Sequence, residues 1–311
     1  MSRPDSVTLA FAGDVTLAAH FADEVGDSLS YPFAGLGWFG DADVTMVNLE
    51  NAMTTGGTRQ PKEFTFRGVA KYAKMLRSAG VDLVTIANNH IYDFGDDGLM
   101  DTIELLDSVG IRHVGAGSNM DSARAPVILT VKGIRIGFLG YLDSIRTVNL
   151  RFASADSPGP ASWDPGDFLK DITGLRPRVD FIVVNVHWGV EKSHTPTPRQ
   201  IDFAHRAIDA GADIIIGHHP HVLQGVECYR GRTICYSLGN FLFGGNSRNT
   251  YPTAVVKVSM AAASPESYDL KVLPIVVRRW QPRLAEGPEA EEILSDIGRY
   301  SEMFSGQVAG R

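Results

Sequence analysis

Seven side chains able to hold a divalent cation stand at the ends of strand-like runs. Asp14 follows Val7 to Ala12, and Glu50 follows Val44 to Leu49. Asn89 and His90 follow Val81 to Ala87, His187 follows Phe181 to Val186, and His219 and His221 follow Ile214 to Ile216. Carboxylate, amide and imidazole donors without a thiolate suit a metal of intermediate hardness such as Mn, Fe or Zn. The set exceeds what one ion needs, whereas two ions about 3.5–4 Å apart, bridged by one carboxylate, would use it. His219-Pro220-His221 is the most specific local element, because a proline-stiffened turn at a strand end can aim both imidazoles the same way.

Each piece has a plainer reading when taken alone. Asp14 and Glu50 could be helix caps, Asn88-Asn89-His90 could be turn chemistry, and His187 could be a bonded core histidine. The coincidence weighs against these. Carboxyl ends of strands in open α/β sheets line a common crevice, so these strand ends can converge.

The elements that must position them alternate between strand and helix. Helical spacing predicts helices over 68–79, 97–109, 199–210 and 289–304, each of the first three closed by a glycine. Lys132-Gly133 and Arg230-Gly231 each read as a hairpin turn. Residues 149–167, rich in Pro, Gly, Ser and Asp, read as an exposed loop. The pattern is that of an α/β fold.

Composition narrows the function. The chain has 311 residues, 44% of them hydrophobic, and a net charge of −7. That charge argues against a nucleic-acid partner, which would require a basic surface. No apolar run is long enough to span a bilayer, so a soluble, cytoplasmic protein is expected. Cys228 and Cys235 are too few for a disulfide scaffold and are expected to be reduced.

Several segments together are similar to a known family: Gly13-Asp14, Asn48-Leu49-Glu50, Asn88-Asn89-His90-Ile-Tyr-Asp93, Val186-His187-Trp188-Gly189-Val-Glu191, Gly217-His218-His219-Pro220-His221 and Tyr236-Ser-Leu-Gly-Asn240-Phe241. In this order they resemble the CapA family of poly-γ-glutamate capsule synthesis proteins, itself related to calcineurin-like metallophosphoesterases. The resemblance implies a four-layer α/β/β/α sandwich of the calcineurin-like metallo-dependent phosphatase type with two divalent metal ions. It covers about 7–245 of one domain over 1–311, leaving strands and a helix in 246–311. Carried over by position, Asp14 is the first acid, Glu50 the bridging acid and Asn89 an amide ligand. His187, His219 and His221 become imidazole ligands, and His90 a general acid outside the ligand set. Two departures stand out: Thr16 occupies the place of a ligand histidine two residues after the aspartate, and Glu50 replaces a bridging aspartate. The expected N-terminal membrane anchor of capsule-type members is not seen.

With a substrate carboxylate at the metals, His90 and Glu191 are the candidate acid and base, each close in sequence to a proposed ligand. Lys62, Phe64 and Arg67 form a basic and aromatic stretch that could bind an anionic or aromatic group. The 149–167 segment and His194 are candidate rim elements, His205 is expected to be solvated, His20 is a remote candidate, and His218 carries no spacing argument. The leading expectation is a two-metal enzyme that tailors a peptide or polyglutamate-type substrate by hydrolysis, transfer or α-carbon epimerisation. The alternatives are a metal-dependent phosphoesterase and a non-catalytic accessory protein of capsule synthesis.

Overall fold

The computed structural model describes residues 6–144, 150–163, 166–244, 250–261 and 263–304. Strands β1 (Ser6–Thr16), β2 (Val44–Leu49), β3 (Leu83–Thr85) and β4 (Arg112–Val114) run parallel in that order. A second, six-stranded sheet holds β5 (Val127–Val131), β6 (Ile134–Leu142), β7 (Phe181–His187), β8 (Ile214–His218), β9 (Val226–Tyr229) and β10 (Arg232–Cys235), in the order β9-β10-β8-β7-β6-β5. The chain then returns to the first sheet: β11 (Asn240–Phe243) pairs parallel with β1. β12 (Thr250–Ala261), β13 (Ser264–Arg278) and β14 (Gln281–Leu284) extend that sheet antiparallel from the same edge of β1, the one opposite β2. The C-terminal strands therefore complete the sheet that carries Asp14.

Both sheets are mixed, and they stack face to face. Val7, Leu9 and Phe11 of β1 meet Phe181 and Val183 of β7 and Ile214 and Ile216 of β8 in a buried layer between them. The alternate residues Ala10 and Ala12, and Ile182, Val184 and Ile215, face outward into separate cores, as the two-residue side-chain period of a strand requires. Helices α1 (His20–Val25), α2 (Lys71–Ser78) and α3 (Gly95–Ser108) cover the first sheet through Phe21, Tyr72, Met75, Leu99 and Leu106. Helices α4 (Met120–Arg124), α5 (Asp167–Leu175) and α6 (Pro198–Asp209) cover the second through Ala123, Phe168, Ile172 and Phe203. The last helix, α7 (Gly287–Ser301), inserts Ile293 and Ile297 at the margin of the layer between the sheets. Among the described residues no helix is long and apolar enough to cross a membrane.

The helices expected at 68–79, 97–109, 199–210 and 289–304 correspond to α2, α3, α6 and α7. The segment 149–167 differs from expectation; its residues 149, 164 and 165 lie outside the described residues. Ala153, Ala161 and Trp163 are buried in the outer core of the second sheet, and Trp163 stacks on Phe203 with ring centroids 4.6 Å apart. Its Pro, Gly and Ser content signals irregular backbone correctly. It does not signal exposure, which a few apolar side chains override.

Candidate metal centre

The inward columns of the strands end in polar residues. Phe181, Val183, Asn185 and His187 share the inward parity of β7, as Ile214, Ile216 and His218 do that of β8, and His187 pairs directly with His218. Across the gap, the β1 ladder shifts register between Phe11 and Asp14, so the strand runs on to Thr16 and Asp14 lies within it. Asp14 is held by its own amide, which donates to the Gly239 carbonyl at 2.9 Å. Glu50 follows β2 directly, and its amide donates to the Val15 carbonyl at 2.7 Å. Both carboxylates are fully buried.

Asn48 joins them: its Nδ2 donates to Asp14 Oδ1 at 2.9 Å and to Glu50 Oε2 at 3.1 Å. Asn88 in turn donates to Asn48 Oδ1 at 3.0 Å and the Leu49 carbonyl at 2.8 Å. His221 Nδ1 lies 3.1 Å from Asp14 Oδ2 and 2.9 Å from Asn240 Oδ1. Asn89 Oδ1 lies 3.0 Å from His187 Nε2. His219 and His221 adopt left-handed backbone, with φ of 96° and 58°. That conformation is costly for residues with a Cβ, and it turns the segment after β8 back over the carboxylates, where the His219 amide donates to Asp14 Oδ2 at 3.3 Å.

Among the described residues two groups of ligand atoms result, Asp14 with Glu50 and His187, and Glu50 with His219 and His221, each gathered within 4.8 Å. Glu50 belongs to both. Its Oε1 is buried without a hydrogen bond and lies 3.7 Å from His187 Nε2 and 3.7 Å from His221 Nε2. An ionised oxygen so placed is costly unless a cation meets it, so the donor set fits divalent metal.

The proton balance points the same way. Burial pushes the Glu50 carboxyl well above the usual carboxylate range. Burial would also raise Asp14, but its contacts with His218 and His221 outweigh this and hold it well below that range. Burial and the neighbouring His219 push His187 well below the ordinary imidazole value. Burial also opposes charge on His221, yet Glu50 and Asp14 raise it to about 9. Protons thus balance charge that bound cations would otherwise neutralise.

Beside this cluster, His90 Nδ1 lies 2.8 Å from Asp93 Oδ2, and the Phe66 ring lies 4.3 Å from the imidazole. Lys62 Nζ donates to Asp93 Oδ1 and to the Asn89 carbonyl, both at 2.7 Å, so it braces this pair. Arg67 donates to the Thr55 and Gly56 carbonyls and lies over the Phe94 ring, whereas Phe64 is 62% exposed. Glu191 is exposed after β7, close enough for its charge to act on Glu50 and His221. A pocket opens alongside, lined by Asn89, Leu142, Asp143, His187, Trp188, Gly189 and His219.

His205 is not solvated as expected. Its Nε2 lies 2.8 Å from Glu227 Oε1 and its ring stacks on Tyr229 at 3.8 Å, because a helical position beside an arginine still faced a buried acid. His194 stacks on Tyr300 at 4.5 Å, and His20 is exposed. Sequence reasoning assigned no role to Asn48, Asn88, Asp93, His218 or Asn240. For His218 a usable signal existed, since it shares strand parity with Ile214 and Ile216.

Two stacked mixed sheets with flanking helices, and a histidine and carboxylate cluster at the strand ends, define a metallophosphatase-like α/β fold. A solved structure described as a novel phosphatase from Mycoplasma pneumoniae superposes with a TM-score of 0.55 at 17% identity, covering 90% of this chain and 97% of that one. Residues 8–245 match the family model of bacterial capsule synthesis protein PGA_cap, and the chain belongs to that family. It is 31% identical over 289 residues to the capsule biosynthesis protein CapA of Bacillus anthracis, covering 90% of this chain and 69% of that protein. It is 34% identical over 223 residues to the PGA biosynthesis protein CapA of Bacillus subtilis, covering 70% of this chain and 58% of that protein.

Proposed function

We propose that the chain is a two-metal enzyme that hydrolyses or transfers an amide of a glutamyl polymer or peptide while holding a substrate carboxylate at the metal centre. The observation that carries this reading is Glu50, a buried carboxylate common to two ligand groups with one oxygen left without a hydrogen bond. Family membership, and the PGA biosynthesis named for the Bacillus subtilis relative, support a glutamyl polymer as the substrate class.

Asp14, Glu50, Asn89, His187, His219 and His221 would hold the ions. When bound, these supply positive charge to a substrate oxygen and acidify water. The chain's own contribution is proton handling. Burial keeps the His90 imidazole below its ordinary value despite Asp93. With Nδ1–H donating to Asp93, Nε2 carries the lone pair. It takes a proton from the attacking water and, as imidazolium, returns it to the departing amide nitrogen.

His90→Asn is expected to lower turnover by about 10²–10⁴-fold with bound metal unchanged; wild-type turnover in this variant would remove His90 from the mechanism. The substrate class is tested by incubating Mn- or Zn-loaded protein with poly-γ-glutamate and with an aryl phosphate. New amino ends released from the polymer support the proposal. Phosphate release alone would favour a phosphoesterase, and metal binding without turnover of either compound would favour an accessory role.

A further inference from the structure

His218 ends β8 with its side chain 1% exposed, and its Nδ1 lies 3.3 Å from Asp14 Oδ1. Apart from this contact with Asp14, neither ring nitrogen has a hydrogen-bond partner. A neutral imidazole carries one N–H and one lone pair, and a buried polar group left unsatisfied is costly. The column Ile214, Ile216, His218 faces the gap between the sheets, and His218 sits in register with His187 of β7. On the opposite side, the Thr16 hydroxyl donates to the Glu50 carbonyl at 3.2 Å and offers no imidazole, although it is two residues from Asp14.

We infer that His218 is the imidazole that completes the ion site on the Asp14 side, in place of the histidine absent at position 16. The inference rests on the metal-centre reading above. Asp14 then meets imidazoles from both directions, His218 at Oδ1 and His221 at Oδ2. The second sheet thereby supplies the donor that the end of β1 lacks. Moving the donor between strands keeps the ligand set without an imidazole in the buried space that Thr16 fills.

The test titrates metal-free wild type and His218→Gln, as full chains, with Co²⁺ alone, followed by absorption spectra and bound-metal analysis. Wild type is expected to take up about two ions. His218→Gln should retain about one, its other site weakened beyond the roughly 10–100-fold effect of an outer partner. Recovery of the second ion in the double variant Thr16→His, His218→Gln would support the exchange of donors. Unchanged stoichiometry, affinity and spectrum in His218→Gln would overturn the inference and leave the metal centre intact. A wild type that binds no Co²⁺ would overturn the metal centre and this inference with it. Should His218→Gln fail to fold, wild type labelled with ¹⁵N-histidine and loaded with ¹¹³Cd decides the matter. Cadmium coupling at His218 as well as His187, His219 and His221 supports the assignment, and its absence at His218 alone overturns it.

Discussion

Glu50→Gln is expected to reduce bound metal from about two ions per chain to well under one, the largest loss from any one substitution at the site. Glu50 is the residue common to both ligand groups, and Gln keeps its shape and an oxygen for Asn48 Nδ2 while removing the negative charge. Metal analysis after dialysis checks this directly; wild-type metal content would show that Glu50 does not bridge. Stability should follow. A ligand present at 100 times its dissociation constant stabilises the native state by about 2.7 kcal/mol, so chelation should lower the melting temperature of wild type and leave Glu50→Gln nearly unchanged.

The sign reverses once metal is removed. The folded-state carboxyl of Glu50 titrates well above its unfolded value because it is buried. Its contribution to stability is therefore complete below the ordinary carboxylate range and is lost as pH rises from there. In chelator, Glu50→Gln should be the more stable protein at neutral pH, with the gap to wild type closing towards acid. In metal the order should invert. A charge that is costly alone and favourable with a partner behaves in this way.

Which strands end in donors was legible in the sequence because it depends on local pattern. Val-Val-Asn-Val before His187 and Ile-Ile-Ile before Gly217-His218 mark buried strands whatever surrounds them. What stayed hidden depends on distance across the fold. Asn48 is two residues from Glu50, but only the pairing of β2 with β1 brings it to Asp14. Asp93 looks like an ordinary turn acid until Lys62 and the Phe66 amide arrive from a separate loop. Lys62, read as a substrate contact, is drawn into that network for the same reason. His205 and Trp163 were misplaced because their buried partners lie on other elements. Pattern locates a side chain along the chain; register and crossing loops decide what it faces.

Gly13→Ala is expected to destabilise the fold by about 3 kcal/mol and to weaken metal binding in the molecules that still fold. A Cβ at position 13 would lie 1.9 Å from the Gly239 carbonyl oxygen and 2.9 Å from its carbon, both main-chain atoms that no rotamer change can move. That carbonyl accepts the Asp14 amide at 2.9 Å, and Asn240, the next residue, contacts His221. The added methyl must therefore separate β1 from β11 where the first acid and the partner of an imidazole ligand are fixed. Glycine at this position allows a close approach of two main chains. Gly174→Ala is the control: it lies in α5 and a Cβ there meets nothing within 4 Å, so it should be neutral or stabilise by up to about 1 kcal/mol. Urea unfolding with and without added Zn²⁺ measures both. If Gly13→Ala matched Gly174→Ala in midpoint and in its response to zinc, the contact between β1 and Gly239 would not be what holds Asp14 in place.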